Sequence, residues 1–234
     1  MQNVQEMLIS RCRLEQLITE RLDYLPKIPG HPSHDLDFDA EMVETIVEFH
    51  EGRQDTLFEK ASRFSLERLL AYLKATHLYY LEKMLPEIEQ SVLHVFSLYR
   101  QSDRLLSALV LFFNEYKKEL VQHILQEEST FFPYVEKLLE AQKGGYPKYT
   151  MENLLKTSPL ELFLEHHDAV EDRLEEVRNI ILNHSPEGNL PFPYRIFLTQ
   201  VDIFAMELEK HGIIEEVLFL PMVQHLEMEL TRKN

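Results

Sequence analysis

Two stretches of this chain place ionisable residues inside apolar helical patterns with the same spacing. The first reads His123-Ile-Leu-Gln-Glu127-Glu128-Ser-Thr-Phe131-Phe-Pro133, and the second His211-Gly-Ile-Ile-Glu215-Glu216-Val-Leu-Phe219-Leu-Pro221. His, both Glu, Phe and Pro stand at equal offsets, and Glu119-Leu120 and Glu207-Leu208 precede each His by the same four and three residues. On a helix, residues four apart lie one above the other on one face, so His123 pairs with Glu127 and His211 with Glu215. Imidazole and carboxylate presented together are the donors of a metal site that needs no thiolate.

The elements that must carry these pairs follow from the apolar periodicity. Ser65 is the expected N-cap of a first long helix, with Glu67 in the turn where the helix dipole favours an anion. From there Leu70, Leu73, His77, Leu81, Met84, Ile88, Val92 and Val95 recur at helical spacing, and Pro86 should kink this helix without ending it. A second helix from about Ser102 carries Leu109, Phe112, Tyr116, Leu120, His123, Glu127, Thr130 and Tyr134, and closes at Gly144, Gly145 and Pro147. Ser158-Pro159-Leu160-Glu161 reads as a capping box with proline at the first helical position, opening a third helix whose stripe is Phe163, His167, Val170, Leu174, Val177 and Ile181. After a Pro/Gly loop, a fourth helix shows Phe197, Val201, Phe204, Leu208, His211, Glu215, Leu218 and Met222. Four long helices with short connections make an all-α, antiparallel four-helix bundle the economical fold, spanning residues 65–230. Residues 1–64 form an N-terminal helical extension, with amphipathic helices over about 4–22 and 40–50, a short helix over 55–62, and a ligand-rich loop over 31–39.

The inward stripes of such a bundle hold His77, His123, Glu127, His167, His211 and Glu215. One buried histidine is ordinary, but two Glu and four His on four inward faces need a shared partner, because charged groups are rarely buried alone. Each helical hairpin gives one His from its first helix and a His-x-x-x-Glu pair from its second, the arrangement of a pseudo-two-fold, two-metal site. If both carboxylates bridge, each metal receives two His and two carboxylate oxygens. A solvent-derived oxo or hydroxo bridge makes five, and one position stays open. This donor set suits iron first, and manganese or zinc by ligand type. His166 points about 100° from His167 and is assigned to the flank of the bundle. Glu119 and Glu207 are either acceptors for the free imidazole N–H of His123 and His211 or solvated helix charges. Tyr80 and Tyr116 lie within range of the site, and the sequence leaves their placement open.

Composition narrows the partners. Lys+Arg 24 against Asp+Glu 40 gives a net charge of -16 over 234 residues, which opposes nucleic acid and anionic membrane surfaces. The single cysteine, Cys12, excludes a disulfide framework and any cysteine-based zinc or iron-sulfur site within one chain. The longest apolar run, Ala108 to Phe113, is too short to span a bilayer, and the N-terminal region with Glu6, Arg11 and Arg13 does not read as a signal peptide. The cytoplasm is the expected compartment.

The motifs resemble those of the hemerythrin-like superfamily, and more closely its iron-sulfur cluster repair branch. Residues 123–133 look like that branch's His-x-x-x-Glu-Glu-x-x-x-Phe-Pro, His167-Asp168 its third-helix His-Asp, residues 211–221 its fourth-helix pair, and Tyr72 to His77 with Leu85-Pro86-Glu87 its first-helix signature. The resemblance covers roughly residues 65–225. In this chain Leu78 follows His77 where the family often has two successive His, the His77-to-Pro86 spacing differs by one residue, and the branch's paired N-terminal cysteines have no counterpart. The resemblance implies a non-haem di-iron protein that protects or repairs iron-sulfur centres under nitric oxide or oxidative stress, with O2 or NO as small ligands and damaged iron-sulfur proteins as partners. The alternative is an O2, NO or iron sensor, or a diatomic-gas binder, without turnover. The ligand spacing itself does not choose between them.

Overall fold

The structure is a computed structural model that describes residues 11–29, 36–51, 64–98, 103–144, 147–160, 163 and 192–233. Among these residues all regular structure is helical and none is strand. None of the described helices is long and apolar enough to cross a membrane. The chain forms two compact units, Met1–Tyr79 and Tyr80–Asn234.

In the first unit α1 (Arg11–Leu22) is followed by a 3-10 turn (Leu25–Lys27), α2 (Leu36–His50) and α3 (Leu66–Tyr79). Pro26 lies in that 3-10 turn, where its missing N–H costs nothing because the first donors of a helix have no partner. Leu14, Leu17, Ile18 and Leu22 form the buried stripe of α1, which packs on α2 and on α3. Facing them are Met42, Ile46, Val47 and Phe49 of α2 and Leu69, Leu70, Tyr72 and Leu73 of α3. The α2 helix begins at Leu36, so the end of the expected loop, Leu36 to Asp39, is helical. The short helix expected over 55–62 lies outside the described residues. Ser65 caps α3 as its sequence indicates, accepting the Arg68 amide at 3.3 Å.

Arg21 is the largest fully buried side chain of this unit, and its Nη1 donates to the Tyr72 hydroxyl at 2.7 Å. This polar contact inside an apolar interface fixes how α1 meets α3, since a buried guanidinium must keep its acceptors. On the outside, Arg11 reaches Glu15, Glu44 and Glu51, which hold its guanidinium above its ordinary pKa. At such an exposed position this network contributes little to stability.

The second unit opens with a π-helical turn (Tyr80–Met84) that runs into α4 (Leu85–Leu98). Next come α5 (Asp103–Gln126), a π turn (Glu127–Phe131), α6 (Phe132–Gln142), α7 (Lys148–Lys156), α8 (Phe192–Ile214), a π turn (Glu215–Phe219) and α9 (Leu220–Lys233). Helix α4 packs against α5 and α8, and α9 packs against α6 and α7. Helix α7 was absent from the sequence reading because its nine residues present only a short pattern between breakers. Where a third long helix is expected, Leu160 and Phe163 are helical, with the Phe163 amide on the Pro159 carbonyl at 2.9 Å. Its later stripe, including His166 and His167, lies outside the described residues.

Glu227 ties three segments of this unit together. It accepts the Tyr134 hydroxyl of α6 and the Ser158 hydroxyl at 2.7 Å, and Ser158 Oγ also accepts the Leu160 amide at 3.4 Å. Burial first, and then the bond to Glu227, push the Tyr134 hydroxyl above the ordinary phenol range.

For the first unit, Tyr72→Phe is expected to lower stability by about 1–3 kcal/mol, because it removes an acceptor from the buried Arg21 while leaving the ring in place. The measurement is the urea midpoint; an unchanged midpoint would show that the Arg21–Tyr72 bond is not a stabilising contact.

Candidate metal centre

The repeated motif continues through each helix as a π turn that starts at the motif's first Glu. In the π turns at Glu127 and Glu215, the Phe132 and Leu220 amides close onto the Glu127 and Glu215 carbonyls, one residue wider than an α turn. The residue after each closing donor is a proline, Pro133 or Pro221. Proline has no N–H to donate and its ring clashes with the carbonyl four residues back, so a wider turn lets the helix pass through without breaking. The same spacing recurs in the third π turn, where Pro86 stands six residues after Tyr80. The π turn and α4 therefore run on through Pro86.

The π turns at Glu127 and Glu215 each insert one residue, and the buried face advances by one position beyond them. Thr130, expected on the inward stripe, is exposed, and Phe131 is buried instead. Met222 is half-buried, and the stripe of α9 runs through Phe219, Val223, Leu226 and Leu230. At the π turn of Tyr80, Leu81 is half-buried and the preceding Tyr80 is buried, while Met84, Ile88, Val92 and Val95 beyond it keep the expected stripe. The motif phenylalanines then meet across the unit: Phe131 and Phe219 pack edge to face at 5.8 Å, and Phe131 stacks on Phe163 at 4.1 Å.

Three of the ligand candidates converge in the same unit. Glu127, His211 and Glu215 are all buried, and each offers a ligand atom within 4.8 Å of the others. The i,i+4 pairs form as the spacing requires: His123 Nε2 and His211 Nε2 each stand 3.1 Å from Oε1 of Glu127 and Glu215. His123 is 16% exposed and meets the group through Glu127, at its rim. His77 is 1% exposed near the end of α3.

Two carboxylates this close and this deeply buried repel each other in a poor dielectric, and desolvating each costs roughly several kcal/mol. A cation between them reverses the sign of both terms. The donor set of buried carboxylate oxygens and imidazole nitrogens with no thiolate fits a divalent transition ion. The group can therefore hold metal.

The surrounding side chains refine this picture. Glu207, one turn before His211, is 0% exposed, so of the two readings the solvated one is excluded for it, whereas Glu119 before His123 is half-buried. Glu216 faces solvent and Glu128 is half-buried, as their rotation away from the stripe implies. His94 and His225 are exposed, and His50 bonds the Ile46 carbonyl at 2.8 Å through Nδ1. Tyr116 is buried against Phe204, and Tyr80 lies against both Phe204 and His211. A small cleft with room for little more than a water molecule is lined by His123, Gln126, Glu127, Thr130, Phe131, Pro159 and Phe163. Its lining is mainly apolar, so it admits a small uncharged species more readily than an anion.

The sequence resembles proteins whose printed function concerns iron. It is 29% identical over 104 residues to the iron-sulfur cluster repair protein YtfE of Yersinia pseudotuberculosis serotype IB (strain PB1/+) and 28% identical over the same length to that of Yersinia pestis (strain Pestoides F). Each match covers 44% of this chain and 41% of the relative, so the chain spans well under half the length of the curated relatives it matches. No family model matches the chain.

In metal-free protein, Glu215→Gln removes one of two buried like charges while keeping the side chain's shape. It is expected to raise the unfolding midpoint in urea by the equivalent of about 1–2 kcal/mol. A lower midpoint for Glu215→Gln would mean that the carboxylate is stabilised within the protein without any metal.

Proposed function

We propose that this chain is a hemerythrin-like, non-haem di-iron protein whose four-helix bundle protects or repairs iron-sulfur centres under nitric oxide or oxidative stress in the cytoplasm. The observation that carries the reading is the buried group of Glu127, His211 and Glu215, with ligand atoms within 4.8 Å of one another. The similarity to iron-sulfur cluster repair proteins supports the iron-sulfur assignment.

The proposed ligands are His77, His123, Glu127, His167, His211 and Glu215. His77 enters by helical periodicity. The first-helix stripe Leu70, Leu73, His77 predicts it inward, and His77 is 1% exposed. His167 enters as the inward residue of the third helix.

An iron pair held here would supply an exchangeable position for O2 or NO, or a store of iron for a damaged cluster. The chain's own residues set the conditions for that chemistry. Glu127 and Glu215 bring the negative charge that retains cations. Phe131, Phe204 and Phe219, each nearly fully buried, keep bulk water from the group. His123, at the rim, lines the small cleft together with Glu127.

The same cleft favours a second reading, a diatomic-gas binder or sensor without turnover. The two separate on one assay: purified protein is incubated with an iron-sulfur dehydratase inactivated by nitric oxide. Repair predicts recovered dehydratase activity with wild-type protein and none with His123→Ala or Glu215→Ala, each of which also loses bound iron. Reversible O2 or NO binding with no recovery would select the gas-binding reading.

A further inference from the structure

We infer that Tyr80 is a positioning residue for the candidate metal centre, holding the His211 imidazole in its ligating orientation. This rests on the metal-centre reading above and adds a residue that the repeated motif does not contain.

Three observations converge on it. Tyr80 is 0% exposed, and its ring meets the His211 ring at 5.6 Å and 72°, and the Phe204 ring at 5.4 Å and 81°. Tyr80 is thus held between two side chains of one face of α8, seven residues apart. Its hydroxyl donates to the Glu207 carbonyl at 3.1 Å. In an α-helix that carbonyl is the acceptor for the amide four residues on, which is His211. One side chain therefore touches the ligand's ring and bonds the backbone group that anchors the ligand's own amide.

The position in the chain is equally specific. Tyr80 opens a π turn six residues before Pro86, as Glu127 and Glu215 open theirs before Pro133 and Pro221. The wide turn that opens at a buried carboxylate in two helices opens at a buried phenol in this one. An imidazole has two torsions to fix before its nitrogen faces a metal. A wall on one side and a tethered hydroxyl behind it remove that freedom before binding.

The test compares wild type with Tyr80→Phe, Tyr80→Leu and Tyr80→Met. The readouts are the His211 ring NMR signals in metal-free protein, assigned with His211→Gln, and cobalt(II) affinity by chelator competition. Tyr80→Phe keeps the wall, so its His211 signals should match wild type and its affinity should fall by no more than about threefold. Tyr80→Leu and Tyr80→Met should shift or broaden those signals and weaken cobalt(II) binding about 10- to 100-fold at unchanged helix content. Restoration of the wild-type signal and affinity by Phe, and not by the aliphatic side chains, marks positioning and not mere space-filling. Unaltered His211 signals in whichever aliphatic variant folds would overturn the assignment. If wild-type protein fails to bind cobalt(II), the metal reading falls, while the metal-free histidine signals still decide the role of Tyr80.

Discussion

Two glutamates buried side by side, Glu127 and Glu215, set the terms for the rest of the second unit. Burying one carboxylate is costly, and burying two within touching distance adds their mutual repulsion. A core designed for stability alone would place leucine at both positions. What accompanies them instead is a donor set: His211, buried with them, and His123 at the rim. The fold sustains this arrangement because the hydrophobic contacts of α4 with α8 and of α6 with α9 outweigh a local charge cost that a bound cation removes.

A π turn opens at each of these carboxylates. Widening the helix by one residue moves the following side chain to a face that regular α geometry would give to its neighbour. Glu127 and Glu215 stand at the start of such turns, and Tyr80 at the start of a third. Prolines at 86, 133 and 221 remove the amide that would restore α registry, so the irregularity is written into the covalent chain. The three prolines are thus as much part of the centre as the residues that face it.

Much of this was legible beforehand. The helical stripes through His77, Glu127, His211 and Glu215 predicted four buried side chains, and all four are buried. Stripes fail where an inserted residue shifts the register: Thr130 and Met222 are expected inward, and Phe131 and Val223 occupy the inward places, whereas Met84, Ile88, Val92 and Val95 stay where the spacing puts them. A periodicity argument assumes a constant angle per residue and cannot register an inserted one. The recurring proline was the available signal. Glu207 shows a different limit. Its spacing from His211 equals that of Glu119 from His123, yet one is fully buried and the other half-exposed, because burial is decided by the neighbouring helix and not by the motif. Helix α7 and the buried Arg21–Tyr72 contact likewise belong to tertiary packing, which spacing along the chain does not encode.

The central claim is that the buried carboxylate–imidazole group exists to hold iron. Anomalous diffraction at the iron absorption edge, from crystals of protein purified in air without added metal, tests it most directly. The account predicts a pair of iron peaks per chain lying between Glu127 and Glu215, within bonding distance of His211. A well-ordered crystal with no anomalous density at that position, with Glu127 and Glu215 instead satisfied by protein groups alone, would contradict it.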